Sequence, residues 1–313
     1  MEEYTGTWCG WCPRGTVGLQ LLERDFGEAF IGIAVHDGDP MSIGDYATQK
    51  KRVGGYPSAF VNRLLAADPY HGSSYGGGQQ KSYGIYDDVF SQQQALTPIA
   101  VSVEATWNTA SMTAFTATAT VTPCYDRTSA SPYALVYVLL ADSLCGEGKS
   151  WSQNNDYANV VFQGGYASEP NLGYLTEQPS YITDIAFDDV AIATAGINGG
   201  LSGSVPAPFV NGTAITHQQL FCISGNTLVQ QKQQLRLAAL LFNTKTGEIV
   251  NAAECRILTQ EQTGVEACPQ PSSEGWGAGA ATIYDLNGRR LPQLQRGFNI
   301  VRCADGTVSK VTK

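Results

Sequence analysis

The stretch EEYTGTWCGWCPRG, residues 2–15, sets Cys9 and Cys12 two residues apart behind Trp8, where a short strand-like run gives way to a helix-like one. Three chemistries use such a pair: half of a metal site, a structural disulfide, or a redox dithiol. A closed zinc centre needs four ligands, usually from two such pairs or from two cysteines and two histidines. His36, His71 and His217 show no ligand spacing around this pair, so no metal is expected. A structural disulfide that closes a short loop stays open as a reading. Position favours redox chemistry. At a helix N-terminus the first sulfur meets free backbone N–H groups and the positive end of the helix dipole, which lower a thiol pKa from about 8.5 toward neutrality. Cys9 is then the attacking thiol and Cys12 the resolving one.

Working outward, residues 1–96 alternate strand and helix signals. After EEYT, Val17, Leu21, Leu22 and Phe26 share one helical face, with Gly15 and Gly18 weakening that helix. AFIGIAVH (29–36) reads as a buried strand and MSIGDYATQKKR (41–52) as a second helix. PSAFVNRLL (57–65) and YHGSSYG (70–76) read as two strands joined across AADP, and GIYDDVFSQQQAL (84–96) as a closing helix. The expected order is β-α-β-α-β-β-α. Pro57, 45 residues beyond Cys12, opens a strand, a position that favours a cis bond turning the chain toward the dithiol. A trans proline at a strand start is the plainer alternative. Glu3 lies six residues before Cys9, at the inner end of the first strand, where an acid has little structural use. It reads either as a proton-transfer group or as a solvated strand end beside Glu2.

From residue 97 to 261 the period changes to two. Ile99, Val101, Val103, Ala105 and Trp107 alternate, as do Phe115, Ala117, Ala119 and Val121, then Tyr133, Leu135, Tyr137 and Leu139. LRLAALLF, NTKTG and EIVNAAEC form a hairpin near the end, and the whole reads as a β-sandwich. Its middle, 145–215, is rich in Gly, Asn and Ser, and long loops are expected there. Trp107, Trp151 and Tyr133 read as core aromatics rather than a carbohydrate platform, and DGDP (37–40) as a turn rather than a calcium loop. A linker at 262–275 leads to a small β-meander at 276–313, with strands ATIYDL, FNIVRCA and TVSKVT and turns at Asn287-Gly288 and Asp305-Gly306.

Composition bounds the function. The chain has 313 residues, 28 acidic against 19 basic, and 43% hydrophobic content, which is enough for two cores. The acidic balance, without blocks of like charge, argues against a nucleic-acid or anionic-membrane surface. No run approaches the roughly 18–20 apolar residues of a membrane span. Eight cysteines in a strand-rich sequence with frequent Ser, Thr, Asn and Gly point to an exported protein. Glu2 and Glu3 follow Met1 directly and exclude a secretory signal there, so the sequence reads as a mature or N-terminally truncated form. The six cysteines outside the pair permit 15 pairings. Cys124 and Cys145, at the far ends of an apparent hairpin, are expected beyond disulfide reach.

TGTWCGWCP, Tyr56-Pro57 and the strand-helix order resemble the thioredoxin-like superfamily over residues 1–96. The resemblance implies a dithiol at Cys9 and Cys12, a cis-proline at Pro57, an assisting acid at Glu3, and a substrate groove at Trp8, Trp11 and Tyr56. The Gly10-Trp11 dipeptide, Pro13 directly after Cys12, and the lack of a lysine in 26–36 depart from that pattern. A dithiol domain opening EEYTGTWCGWCP, followed by a sandwich ending TKTGEIVNAAECRIL, resembles the 28-kDa outer-membrane-protein-related family of Bacteroidota, which implies a periplasmic, outer-membrane-surface or secreted location. The tail IYDLNGRRLPQLQRGFNIVRCADGTVSKVTK resembles the C-terminal sorting signal of type IX secretion. Its YDLNGRR start, Gly297-Phe298 step and final lysine carry that match, and the secretion machinery is the implied partner.

The combined expectation is an α/β thioredoxin-like domain, an all-β sandwich and a C-terminal meander, acting as a thiol-disulfide oxidoreductase on extracytoplasmic protein cysteines. No cofactor beyond the dithiol is called for. The rival is a surface binding module whose loops at 145–215 contact a ligand while the dithiol is structural or vestigial. Access discriminates them: a reactive Cys9 is partly exposed beside Pro57, a structural disulfide is covered.

Overall fold

The computed structural model describes residues 1–71, 83–95, 97–158 and 171–259, and beyond them the strand residues 282–284, 290–291, 298–302 and 308–312. The chain divides into two compact units, Met1–Thr259 and Gln260–Lys313. The protein is mostly β, with few helices.

The first unit opens with β1 (Glu2–Thr5), buried along its whole length. Cys12 is the N-cap of α1 (Pro13–Phe26), with Pro13 in the first turn, where a missing N–H costs nothing and the fixed φ suits a helix. Gly27 ends the helix at φ 53°. Next come β2 (Ile33–His36), the four-residue α2 (Ala47–Lys50), β3 (Ser58–Val61), β4 (Leu65–Ala67) and α3 (Ile85–Gln93). In this part β2 runs parallel to β1, whereas β3 is antiparallel to both β1 and β4. The spatial order is β2-β1-β3-β4.

The remaining strands are β5 (Ile99–Trp107), β6 (Ala114–Pro123), β7 (Tyr133–Ala141), β8 (Gln153–Asn154), β9 (Tyr181–Ile182), β10 (Val190–Ala195), β11 (Ile215–Cys222), β12 (Leu235–Asn243) and β13 (Ile249–Leu258). All but the β8/β9 pair join the N-terminal strands in one mixed 11-stranded sheet, ordered β11-β6-β5-β13-β12-β7-β10-β2-β1-β3-β4. The joint is β10. It is antiparallel to β7 on one side and parallel to β2 on the other, where Val190 pairs with Ala34 and the Ala34 N–H donates to the Asp189 carbonyl at 2.8 Å. The sheet folds over where the end of β13 meets β5 in parallel at Ile257 and Leu258.

Three apolar clusters follow from this path. Trp107, Phe115, Ala117 and Val121 pack against Leu135, Tyr137, Leu237 and Leu241 across the folded-over sheet. On the opposite face of the same central strands, Val136, Val138, Leu140 and Leu240 join Tyr4, Ile33, Val35 and Tyr46. Val17, Leu19 and Leu22 of α1 and Ile85 and Val89 of α3 cover Ala34 and Val61. Strands β7 and β12 are therefore buried on both faces, which is why their sequences are continuous apolar runs, whereas β6 alternates residue by residue.

Four expectations need correction. The turn joining β3 to β4 falls on Asn62 and Arg63, at φ 52° and 57°, not on AADP; two consecutive left-handed residues tighten it as glycines would. Residues 72–76 of the expected strand YHGSSYG (70–76) lie outside the described residues. The second helix shrinks to a 3₁₀ turn at Gly44–Tyr46 plus the short α2. β6 and β7 are not a hairpin: β6 pairs with β5 and β11, and β7 with β10 and β12, leaving Cys124 and Cys145 as free, exposed thiols. The stretch 145–215, expected as loops, contains the central strand β10. In the second unit, β14 (Thr282–Tyr284), β15 (Arg290–Leu291), β16 (Phe298–Arg302) and β17 (Val308–Thr312) form a separate antiparallel sheet in the order β15-β14-β16-β17.

Candidate functional site

Cys9 and Cys12 form a disulfide at the entrance to α1, with Cα atoms 5.3 Å apart. The Cys12 N–H donates to the Cys9 carbonyl and the Gly15 N–H to the Cys12 carbonyl, so the dithiol loop runs directly into the first helical turn. Cys9 is 6% exposed and Cys12 1%. Cys9 is the less covered of the two residues, but it is buried, contrary to the partial exposure expected of a reactive Cys9.

The cause is a strap from the sandwich sequence. Residues 153–157 lie across the dithiol loop and satisfy its carbonyls one after another. The Asn154 N–H donates to Thr7 O at 2.7 Å, the Asn154 side-chain amide to Trp8 O at 2.9 Å, and the Gln153 amide to Cys9 O at 2.9 Å. The Asp156 N–H donates to Gly10 O at 2.9 Å and the Tyr157 hydroxyl to Trp11 O at 3.4 Å. A Cβ on Gly10 would stand 2.1 Å from the Asp156 carboxyl carbon, so glycine at this position lets the strap sit down. The polar loop WSQNNDYA carries no motif that marks these residues; they are neighbours of the dithiol that sequence reasoning missed.

Beside the loop, Trp8 is 47% exposed and Trp11 37%. Trp8 packs edge-on against Tyr56 at 5.2 Å between ring centroids, and Trp11 against Tyr157 at 5.1 Å. Asp37 ties the first pair down: its carbonyl accepts from Trp8 Nε1, and its carboxylate accepts from the Tyr56 hydroxyl and Lys50 Nζ. Burial pushes the Asp37 pKa up, but the bonds from Lys50 and Tyr56 outweigh it and hold the carboxyl below its ordinary range. The Tyr56-Pro57 peptide bond is cis. The β1/β3 register pairs Tyr4 with Ser58, which carries Pro57 to the end of β1 where the dithiol loop begins. Pro57 also lines an open groove of about 400 Å³ with Arg52, Val53 and Phe60.

Beneath the loop, Glu3 is 1% exposed and its Oε1 has no hydrogen-bond partner. That oxygen stands 2.2 Å from where a Cβ on Gly15 would lie, under the first turn of α1. Burial is the largest influence on this carboxyl and drives its pKa up to about 8; a hydrogen bond from Thr5 lowers it, Asp68 raises it and Arg14 lowers it in turn. Arg14 is itself clamped by Asp68 through a two-pronged ion pair. Glu2 is buried as well, paired with Arg63 at 2.7 and 2.8 Å and with the Tyr46 hydroxyl. The structure thus brings Cys9, Cys12, Trp8, Tyr56 and Glu3 around one end of β1 and the start of α1.

No protein-family model matches the chain, and no curated protein matches it significantly. Among solved structures, HBP35 of Porphyromonas gingivalis is similar over 99% of this chain and 95% of its own, with a TM-score of 0.54 at 14% identity. The likeness is one of fold. A protein from Agrobacterium tumefaciens (TM-score 0.41, 14% identity, 81% of this chain and 91% of that one) and a domain of the outer membrane lipoprotein Omp28 from Porphyromonas gingivalis (TM-score 0.26, 12% identity, 53% and 93%) are more distant.

Proposed function

We propose that this chain is an exported thiol-disulfide oxidoreductase acting on extracytoplasmic protein cysteines. The observation that carries the reading is the Cys9–Cys12 disulfide at the N-terminus of α1, beside a cis Pro57 and within four strands ordered β2-β1-β3-β4 with β3 reversed. That order supports a thioredoxin-like domain over residues 1–96, with the sandwich at 97–261 as a second functional region built onto the same sheet. In the exchange, the reduced Cys9 thiolate attacks a client disulfide, one client thiolate leaves, and Cys12 resolves the mixed disulfide. Trp8, Trp11 and Tyr56 would form the client groove. The test is trapping: Cys12→Ser should accumulate mixed disulfides with client proteins and Cys9→Ser should not. Equal trapping by both removes the assigned roles.

The burial of Cys9 under the 153–157 strap favours a second reading, a surface binding module whose disulfide is structural. The reduction potential separates the two, because exchange-active pairs lie between about −270 and −120 mV and structural disulfides below about −300 mV. The same proposal takes the four-stranded C-terminal sheet as a sorting module read by the secretion machinery, and the chain as a periplasmic, outer-membrane-surface or secreted member of the Bacteroidota family it resembles. Among the described residues no helix is long and apolar enough to cross a membrane. Deleting 276–313 should abolish surface delivery while leaving the melt of residues 1–259 intact; loss of that melt would make the tail structural.

A further inference from the structure

The open groove that begins at Pro57 has a cation at its far end. Lys50, Lys51 and Arg52 form the one run of three basic residues in a chain of net charge −9, and they stand at the end of the short α2. Lys50 turns back to Asp37 at 2.7 Å, on the side of Trp8 and Tyr56. Arg52 lines the groove instead. Its guanidinium carbon lies 4.5 Å from the centroid of the Phe60 ring, and Nη2 donates to the Arg63 carbonyl at 3.1 Å. Phe60 is backed by Tyr4, edge-on at 5.8 Å between ring centroids. A guanidinium held over a ring keeps its remaining N–H donors free to meet a planar carboxylate. Arg52 is exposed and belongs to no ion pair among the described residues. Asp68, the one acid among the described residues that lines the groove, is already bound by Arg14. The groove follows β3. Tyr4 pairs with Ser58 and Glu2 with Phe60, so it runs from the end of β1 where the dithiol loop begins to the opposite end, and the three residues from Pro57 to Phe60 span about 10 Å of strand.

We propose that Arg52, seated on Phe60, is a specificity-determining residue that selects clients with an acidic side chain about three or four residues from the reacting cysteine. The inference rests on the oxidoreductase reading and names its substrate class, an extended acidic protein segment. With the client cysteine at Cys9 and its chain along β3, about 10 Å of groove takes up about three residues, which carries the next carboxylate to the guanidinium. There it accepts from the N–H groups that the Arg63 carbonyl leaves free. Val53, Ser58 and Ala66, which also line the groove, are uncharged, so the charge of the segment is read at Arg52. Lys51, the exposed neighbour of Arg52, adds to the positive charge at this end of α2. A lysine at the same client position would meet like charge, so the arrangement rejects as well as selects. The chain as a whole repels an acidic segment, since its net charge is −9; any preference for one is therefore local to this groove and cannot come from the field of the whole surface.

The test uses reduced full-length protein and short peptides with one cysteine, capped as its disulfide with 2-mercaptoethanol, and with Glu, Gln or Lys at the third and fourth residues before or after that cysteine. Each reaction oxidises the Cys9–Cys12 pair and reduces one peptide disulfide to two thiols. Release of the peptide thiol is followed by chromatography, and the rate with Cys9→Ser, which reports every other cysteine, is subtracted. In one of the two placements the Glu peptide should react about fivefold faster than the Gln peptide at low salt, and the Lys peptide slower than both, with the differences shrinking as salt rises to about 0.5 M. Arg52→Gln should bring the Glu peptide to the rate of the Gln peptide. Arg52→Glu should put the Lys peptide ahead, a reversal that a loosened or misfolded groove would not give. Glu and Gln peptides reacting alike with wild type in both placements, or an unchanged order in Arg52→Glu, overturns the proposal. Hydroxyethyl disulfide, uncharged and too small to reach Arg52, separates this from the reading beneath it. Its reduction above the Cys9→Ser background with no order among the peptides discards the specificity alone; no reduction of it or of any peptide above that background removes the oxidoreductase reading, and this inference with it.

Discussion

The side-chain amide of Gln153 donates to the carbonyl of Cys9 at 2.9 Å across 144 residues of sequence. Through this bond and its neighbours, the loop between β7 and β10 closes over the dithiol that β1 and α1 present. Neither half of the arrangement is complete without the other. Removing both side-chain donors, Gln153→Ala with Asn154→Ala, deletes two of the bonds that seat the strap, each worth about 0.5–1.5 kcal/mol. The variant should expose Cys9 and be reduced by dithiothreitol several-fold faster than wild type, measured by quenched thiol labelling. An unchanged rate would mean that the strap does not limit access to the sulfur.

Glu3 makes stability depend on pH in a defined direction. Its folded pKa of about 8 lies above the ordinary 4.5, so the native state holds this proton more tightly than the unfolded chain does. The contribution is fully present below about pH 4.5 and is lost as pH rises toward 8, at no more than about 1.4 kcal/mol per pH unit. Glu3→Gln should remove this slope, gaining stability over wild type progressively from pH 5 to 8 and little at pH 4. Denaturant titrations at four pH values check it, and parallel curves for the two proteins would show Glu3 ionised in the fold.

Gly18 sits in the middle of α1, where alanine would normally stabilise a helix by about 1 kcal/mol. Here a Cβ would approach the carbonyl oxygen of Pro69 to 2.2 Å, and a backbone atom cannot swing aside. Gly18→Ala should therefore destabilise by about 1–3 kcal/mol, read as a lower melting temperature. A stabilised variant would mean that the segment after β4 yields readily.

Arg63 and Glu2 form an ion pair with side chains 2% and 1% exposed. Arg63→Met leaves the Glu2 carboxylate buried and unpaired and should cost about 3–5 kcal/mol. Adding Glu2→Gln should recover a large part of that loss, because an amide carries no charge to desolvate. A double variant no more stable than the single one would place the cost in packing around Arg63 instead of in charge.

Much of this protein was legible in order along the chain. Periodicity reports which faces a segment buries, so α1, α3, the hairpin of β12 and β13, and the alternating strands β5 and β6 could all be read locally. The pair Cys9 and Cys12 ahead of a helix, and Pro57 opening a strand, were likewise written in a few adjacent residues. Local signals failed where geometry was set by something distant. The β3-to-β4 turn uses Asn62 and Arg63 without glycine, its second residue held in place by the buried bond to Glu2. β10 was hidden in a Gly-, Asn- and Ser-rich region because it is specified by its neighbours β7 and β2.

What the sequence determined by itself is the chemistry available: two vicinal thiols, a helix to carry them, and an acid six residues upstream. Gly15 and Gly18 read there only as weak points in a helix. Tertiary structure made them contacts, one over Glu3 and one against Pro69. It also decided that Glu3 is buried with an unpartnered oxygen and that a strap from residues 153–157 covers Cys9. Burial and proximity arise from which segments the sheet order brings together, and a sheet that joins β10 to β2 sets residues 144 positions apart within 2.9 Å. No periodicity encodes that distance, because hydrogen bonds between a loop and a distant backbone depend on where both ends are anchored and not on the pattern of either.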